Sequence, residues 1–136
     1  MSYGVSAALQ AAVYQKLVND GGVTALIGAS VFDEVPAGAV PTTYVTLGPE
    51  VVTDQSDKTG SGAVHRFVIS VVTEAAGFGG AKEVAVAVSD ALHGGDLVLS
   101  RGRLILMQFE GATATREEAA NLRRIDLRFR ARVEDN

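Results

Sequence analysis

The stretch RRIDLRFRARV, residues 123–133, constrains the fold more than any other part of this chain. Every second residue from Ile125 is apolar: Ile125, Leu127, Phe129, Ala131 and Val133. Between them stand Arg124, Asp126, Arg128, Arg130 and Arg132. A period of two belongs to a β-strand, whose successive side chains point to opposite faces. One face therefore goes to a core, and the other presents a row of arginines that needs a destination.

The rest of the chain supplies the layer that such a strand packs against. Val5, Leu9, Ala12, Val13 and Leu17 recur at helical spacing, which predicts a helix over about 3–19 with Gly21-Gly22 as its stop. VTALIG reads as a short helical turn ending at Gly28, and SVFDEVP as a short strand closed by Pro36. TTYVTLG is a strand with Thr43, Val45 and Leu47 on one face. VHRFVISVVT is apolar on both faces in its second half and is therefore central in its sheet. Between these strands lies a polar, Gly/Ser-rich stretch, about 50–63, longer than a hairpin needs and read as an extended arm or mobile loop.

A second helix is expected over about 80–93, with Ala81, Val84, Ala85, Val88 and Leu92 on one stripe and Gly94-Gly95 at its end. DLVLS reads as a short strand, Gly102 as a turn, 103–110 as a strand, and TATREEAAN as a loop or irregular edge. The expected fold is α+β: one domain over 1–136, a mainly antiparallel sheet with two helices packed on one face, and the arm as an extension.

Composition narrows the function. The chain has no cysteine and two isolated histidines, His65 and His93, so zinc spacings and a cysteine nucleophile are absent. No apolar run approaches the roughly 18 residues of a membrane span, and no signal-peptide pattern opens the chain, so neither membrane insertion nor secretion is expected. Residues 1–100 carry a net charge of −6 and residues 101–136 a net charge of +2. An acidic body with a basic last strand argues against a general nucleic-acid binder and for contact with a copy or a partner through charge.

Motifs for chemistry are weak. GFGGAK, residues 77–82, sits where a phosphate loop would, but the Walker spacing fails and Lys82 stands where a dinucleotide fingerprint needs glycine. A plain strand-to-helix turn explains it. His65 and His93 read as ordinary surface histidines, and the adjacent acidic pairs Asp33-Glu34 and Glu117-Glu118 as solvated charges or arginine partners. Arg124, Arg128, Arg130 and Arg132 leave three destinations open: a solvated edge that deters aggregation, a carboxylate surface on a neighbouring subunit, or the phosphates of DNA in a pore. The acidic body and Asp126 favour the subunit contact.

The order of segments resembles a known family. A first helix ending in LVND, then GVTALIGASVFDEVPAGAVPTTYVTLGP, a polar arm, RFVISVVTE, a Gly-rich turn, AKEVAVAVSDALHG and a final RRIDLRFRARVE are similar to the tail-terminator, or tail-completion, proteins of long-tailed phages and of phage-like gene transfer agents. The resemblance implies a virion or particle protein, assembled in the host cytoplasm, that forms a homo-oligomeric ring, a hexamer, on the head-proximal end of the tail tube. Such a ring stops tube polymerisation, contacts the tail tube protein and the head–tail connector, and lets DNA pass through its channel without sequence-specific binding. It implies no enzymatic activity, catalytic residue, metal or cofactor. Arg124, Arg128, Arg130 and Arg132 are then expected at a subunit interface or the channel, and Asp54, Asp57 and Lys58 of the arm to become ordered against the tube or a neighbour.

Two other readings remain at the level of sequence. A tube or connector subunit shares the same fold, and differs in forming long tubes or in its place in the particle. A small anion- or nucleotide-binding domain using the GFGGAK turn would be stabilised by its ligand in a thermal shift.

Overall fold

A computed structural model describes residues 3–57, 60–94 and 97–135. Within them the order is α1 (Ser6–Asn19), α2 (Gly21–Ile27), β1 (Val31–Phe32), β2 (Thr43–Asp54), β3 (Ser61–Thr73), α3 (Gly79–Leu92), β4 (Arg103–Glu117) and β5 (Leu122–Asp135). The sheet runs β1-β2-β3-β5-β4, with β1 parallel to β2 and every other pair antiparallel. This is the expected α+β fold. No helix among the described residues is long and apolar enough to cross a membrane.

Local chemistry sets the elements. Leu9, Val13 and Leu17, four residues apart, line the buried stripe of α1. The helix stops at Asp20, whose extended backbone starts α2 and whose carboxylate accepts the Val23 amide at 3.1 Å. Gly21 and Gly22, expected as the stop, instead form the first turn of α2, because an aspartate in this position is a strong helix N-cap. In α3, Ala81, Val84, Ala85, Val88, Ala91 and Leu92 are buried, as the stripe predicts, and Gly94 follows with φ +87°. Gly95 and Lys58 lie outside the described residues.

The sheet registers place the core on one face. Successive cross-strand rungs read Val71, Ile125, Ala114; Ile69, Leu127, Ala112; Phe67, Phe129, Phe109; His65, Ala131, Met107; and Ala63, Val133, Leu104. The helices cover this face, and Ile125, Leu127 and Phe129 are buried beneath them together with the stripes of α1 and α3. β3 is central, hydrogen-bonded on both sides, which its two-sided apolar character anticipates.

The structure departs from the sequence reading in three stretches. Most of the expected arm is a β-hairpin: β2 runs to Asp54 and β3 begins at Ser61, with a bulge between Leu47 and Glu50 at Gly48-Pro49. Beyond the strands, Ser56 donates to Asp54 Oδ1 and the Gly60 amide donates to Asp57 Oδ1 at 2.9 Å. The Ser56 hydroxyl holds the Asp54 carboxyl below the usual carboxylate range. TATRE, expected as loop, is the second half of β4, because backbone pairing along β5 continues to Glu117 although the Thr/Ala alternation is weak. Residues 97–100, expected as a short strand, lie outside regular structure, where Leu97 and Leu99 pack against the core's rim.

Candidate functional site

β5 carries the arginine row on the sheet face that has no helix layer. Across from Arg124, Asp126, Arg128, Arg130 and Arg132 on β3 stand Val72, Ser70, Val68, Arg66 and Val64. On β4 the same rungs are filled by Thr115, Thr113, Gly111, Gln108 and Leu106. The four predicted arginines are thus on one face, but they are not equivalent.

Arg124 is committed within the chain. Its Nε donates to Asp126 Oδ1 at 2.8 Å and its Nη2 to Ser70 Oγ at 3.2 Å, while the buried Ser70 hydroxyl donates to Asp126 Oδ1 at 2.6 Å. Glu117 adds a carboxylate 3.8 Å away. Each polar group of this cluster has a partner, so Arg124 secures one end of the face.

Among the described residues Arg128, Arg130 and Arg132 donate to neutral acceptors: Thr113 Oγ1 at 2.9 Å, Gln108 Oε1 at 3.2 Å and the Gln55 carbonyl at 3.2 Å. Among the described residues none of the three has a carboxylate within 4.0 Å. Two glycines let them spread across the sheet. The Cβ that Gly111 lacks would stand 2.6 Å from Arg128 Nη2, and that of Gly62 2.8 Å from Arg132 Nη2. Arg128 therefore lies outward over β4 and Arg132 inward over β3.

Sequence reading missed Arg66. Its polar neighbour in sequence, His65, hides its role; only the register sets Arg66 directly opposite Arg130. Like charges in that position repel, and Glu110 stands 3.5 Å from the Arg66 Nε across exposed surface. Exposed pairs of this kind contribute about 0–1 kcal/mol. Among the described residues the charges of Arg128, Arg130 and Arg132 are consequently not offset by a carboxylate.

The other basic residues have local uses. Arg101 binds Asp135 through two contacts of 3.0 and 2.8 Å, which raise its already high pKa, and Arg103 pairs with Glu134. Lys82 of the GFGGAK turn and Arg123 lie 5.9 and 5.7 Å from the Phe78 ring. Asp54 and Asp57 shape the hairpin tip, as described above.

His65 departs from its reading as a surface residue. It is fully buried, on the core face of β3 opposite Ala131 and Val52. Its Nδ1 lies 3.0 Å from Glu50 Oε2, and Glu50 Oε1 accepts from Ser6 Oγ at 2.7 Å and from Tyr3 at 3.2 Å. Among the described residues His65 Nε2 has no hydrogen-bond partner. The carboxylate thus ties the start of α1 to the β2–β3 hairpin. Glu50→Ala is expected to lower stability by about 1–3 kcal/mol, because it strands a buried imidazole, and chemical denaturation read by circular dichroism checks this. His93, by contrast, is exposed as expected.

Comparison with known proteins agrees with this architecture. No curated protein matches the chain. Among solved structures, a chain described as part of the virion of a native gene transfer agent particle is 64% identical, covers 98% of this chain and 99% of its own length, and superposes with a TM-score of 0.92. The family described as tail completion protein gp17 matches residues 11–134. With the match spanning nearly the entire sequence, the chain belongs to the tail completion protein gp17 family and is a structural tail protein of virion-type particles.

Proposed function

We propose that the protein forms a closed ring, a hexamer, at the head-proximal end of the tail tube. The ring ends tube polymerisation and offers the surface to which the head connector binds, while DNA passes through its channel without sequence-specific contact. The protein acts by assembly alone, without catalysis, metal or cofactor. The observation that carries this reading is the row of Arg128, Arg130 and Arg132, which among the described residues has no carboxylate partner, on a face without helices. Residues 1–100, at net −6, supply the complementary charge on another copy. In a ring each subunit presents two unlike faces, and such a division of charge provides them. Asp54 and Asp57 at the hairpin tip, with Lys58 beside them in sequence, are the second proposed contact, against a neighbour or the tube.

Replacing Arg128 and Arg130 together by Ser tests the reading. Removing one partner of a buried interface charge pair costs about 2–5 kcal/mol, so the yield of complete particles is expected to fall by at least about tenfold while the isolated subunit stays folded. Light scattering of the purified protein is expected to show a discrete oligomer that weakens as salt rises, and electron microscopy rings rather than long tubes. Unchanged assembly and particle yield in the double variant would refute the role of the row.

A further inference from the structure

The sheet ends in two unlike open edges. β4 runs from Arg103 to Glu117 with nothing paired along its outer side among the described residues, and Ile105, Leu106 and Phe109 are exposed there. At the other end β1 covers only Val45 and Thr46 of β2, and among the described residues no strand pairs along the outer side of Gly48–Asp54, where Val51 is 65% exposed. A long apolar edge is a template for another strand unless something covers it.

The two edge regions carry opposite net charge. Residues 31–57 hold Asp33, Glu34, Glu50, Asp54 and Asp57 and no Lys or Arg. Residues 101–132 hold eight arginines against four acidic residues. Arg128 lies over Gly111 and donates to Thr113 on the face without helices, whereas Glu50 and Asp54, opposite Phe67 and Ala63, lie on the helix-bearing face.

They also complement one another in direction. β2 and β5 run one way and β3 and β4 the other. An antiparallel joint between β4 and the β2 of another copy therefore continues the alternation. Both sheets then keep the same strand direction and turn the same face outward, which is the relation that rotation about a single axis requires. A joint of β4 to β4 would instead close as a two-fold dimer and leave the β2 edges bare.

We propose that β4 of one copy and the Glu50–Asp54 segment of the next copy's β2 form one antiparallel ladder. Pro49, which has no N–H, ends the ladder on one side. Alternation puts Val51 and Thr53 on the arginine face and Val52 on the side of the groove lined by Val86, Phe109, Ala112 and Ala114. The inference rests on the ring reading and specifies its contact.

Because the chain has no cysteine, introduced pairs report this contact without background. Val51→Cys is combined in turn with Leu106→Cys, Gln108→Cys and Thr113→Cys, all exposed positions on the same sheet face. Particles assembled with each variant are oxidised or bridged with a short bis-maleimide, since facing side chains across a ladder lie about 5 Å apart. The expected result is a ladder of cross-linked multimers from at least one double variant and none from the single variants. Dimers from a single β4 cysteine would overturn the proposal in favour of a two-fold joint. Unsubstituted particles treated with glutaraldehyde separate the two levels of the argument. Multimers there, with none from any cysteine pair, would overturn the edge joint and leave the ring intact; no multimers in either would overturn both.

Discussion

Phe129→Ala is expected to lower the stability of the folded chain by about 3–5 kcal/mol, the largest loss from any single truncation in the sheet. Phe129 is almost fully buried and is the middle of a three-strand aromatic rung. Its ring stacks on Phe67 with centroids 5.7 Å apart and meets the edge of Phe109 at 5.8 Å. Both neighbours are anchored to their own strands, so the cavity left by the ring cannot collapse without shifting the sheet. Domains of this kind are stable by about 5–15 kcal/mol, so the loss removes a large share of the total. The denaturant midpoint of the isolated chain measures it. Phe109→Ala is the control: that ring is half exposed at the sheet edge, and its removal is expected to cost distinctly less.

Gly102→Ala is expected to cost about 2–4 kcal/mol for the addition of one methyl group, combining left-handed strain with overpacking. Gly102 turns the chain into β4 with φ +71°. A Cβ there would stand 2.5 Å from the Glu134 carbonyl oxygen and 2.7 Å from Val5 Cγ2. The first is backbone of β5 and the second belongs to a buried residue at the head of α1, so neither can swing aside. Gly77→Ala separates the two contributions. Its φ is +82° but nothing lies within 4 Å of the added atom, so only the backbone strain of about 1–2 kcal/mol applies. Equal losses at the two positions would show that the clash at Gly102 relaxes. Thermal or chemical melts of both variants decide the matter.

The strong local periods were legible in the sequence. The α1 and α3 stripes, the central character of β3 and the apolar face of β5 all appear where their spacing puts them. Signals that depend on a distant strand were not. The second half of β4 is strand because β5 pairs with it, while its own Gly, Ala and Thr residues give only a weak alternation. The polar hairpin over 50–63 looked like an arm because Gly, Ser and Asp are poor strand formers, yet β2 and β3 pair to within a few residues of its tip. His65, beside an arginine in sequence, is buried because its strand is flanked on both sides, and its carboxylate partner lies fifteen residues away.

The candidate site divides in the same way. That four arginines share one face of a strand follows from a period of two and was decided by the sequence alone. Which of them is satisfied was decided by register: Asp126 and Ser70 hold Arg124, Arg66 stands opposite Arg130, and Gly111 and Gly62 open the paths for Arg128 and Arg132. Among the described residues the same register leaves β4 and half of β2 without an outer strand partner, and these two edges run in opposite directions. Period is a property of neighbours along the chain, so the sequence carries it directly. Partnership depends on strands brought together across 50 or more residues, as Ser70 and Asp126 are, and exists only once the sheet has formed.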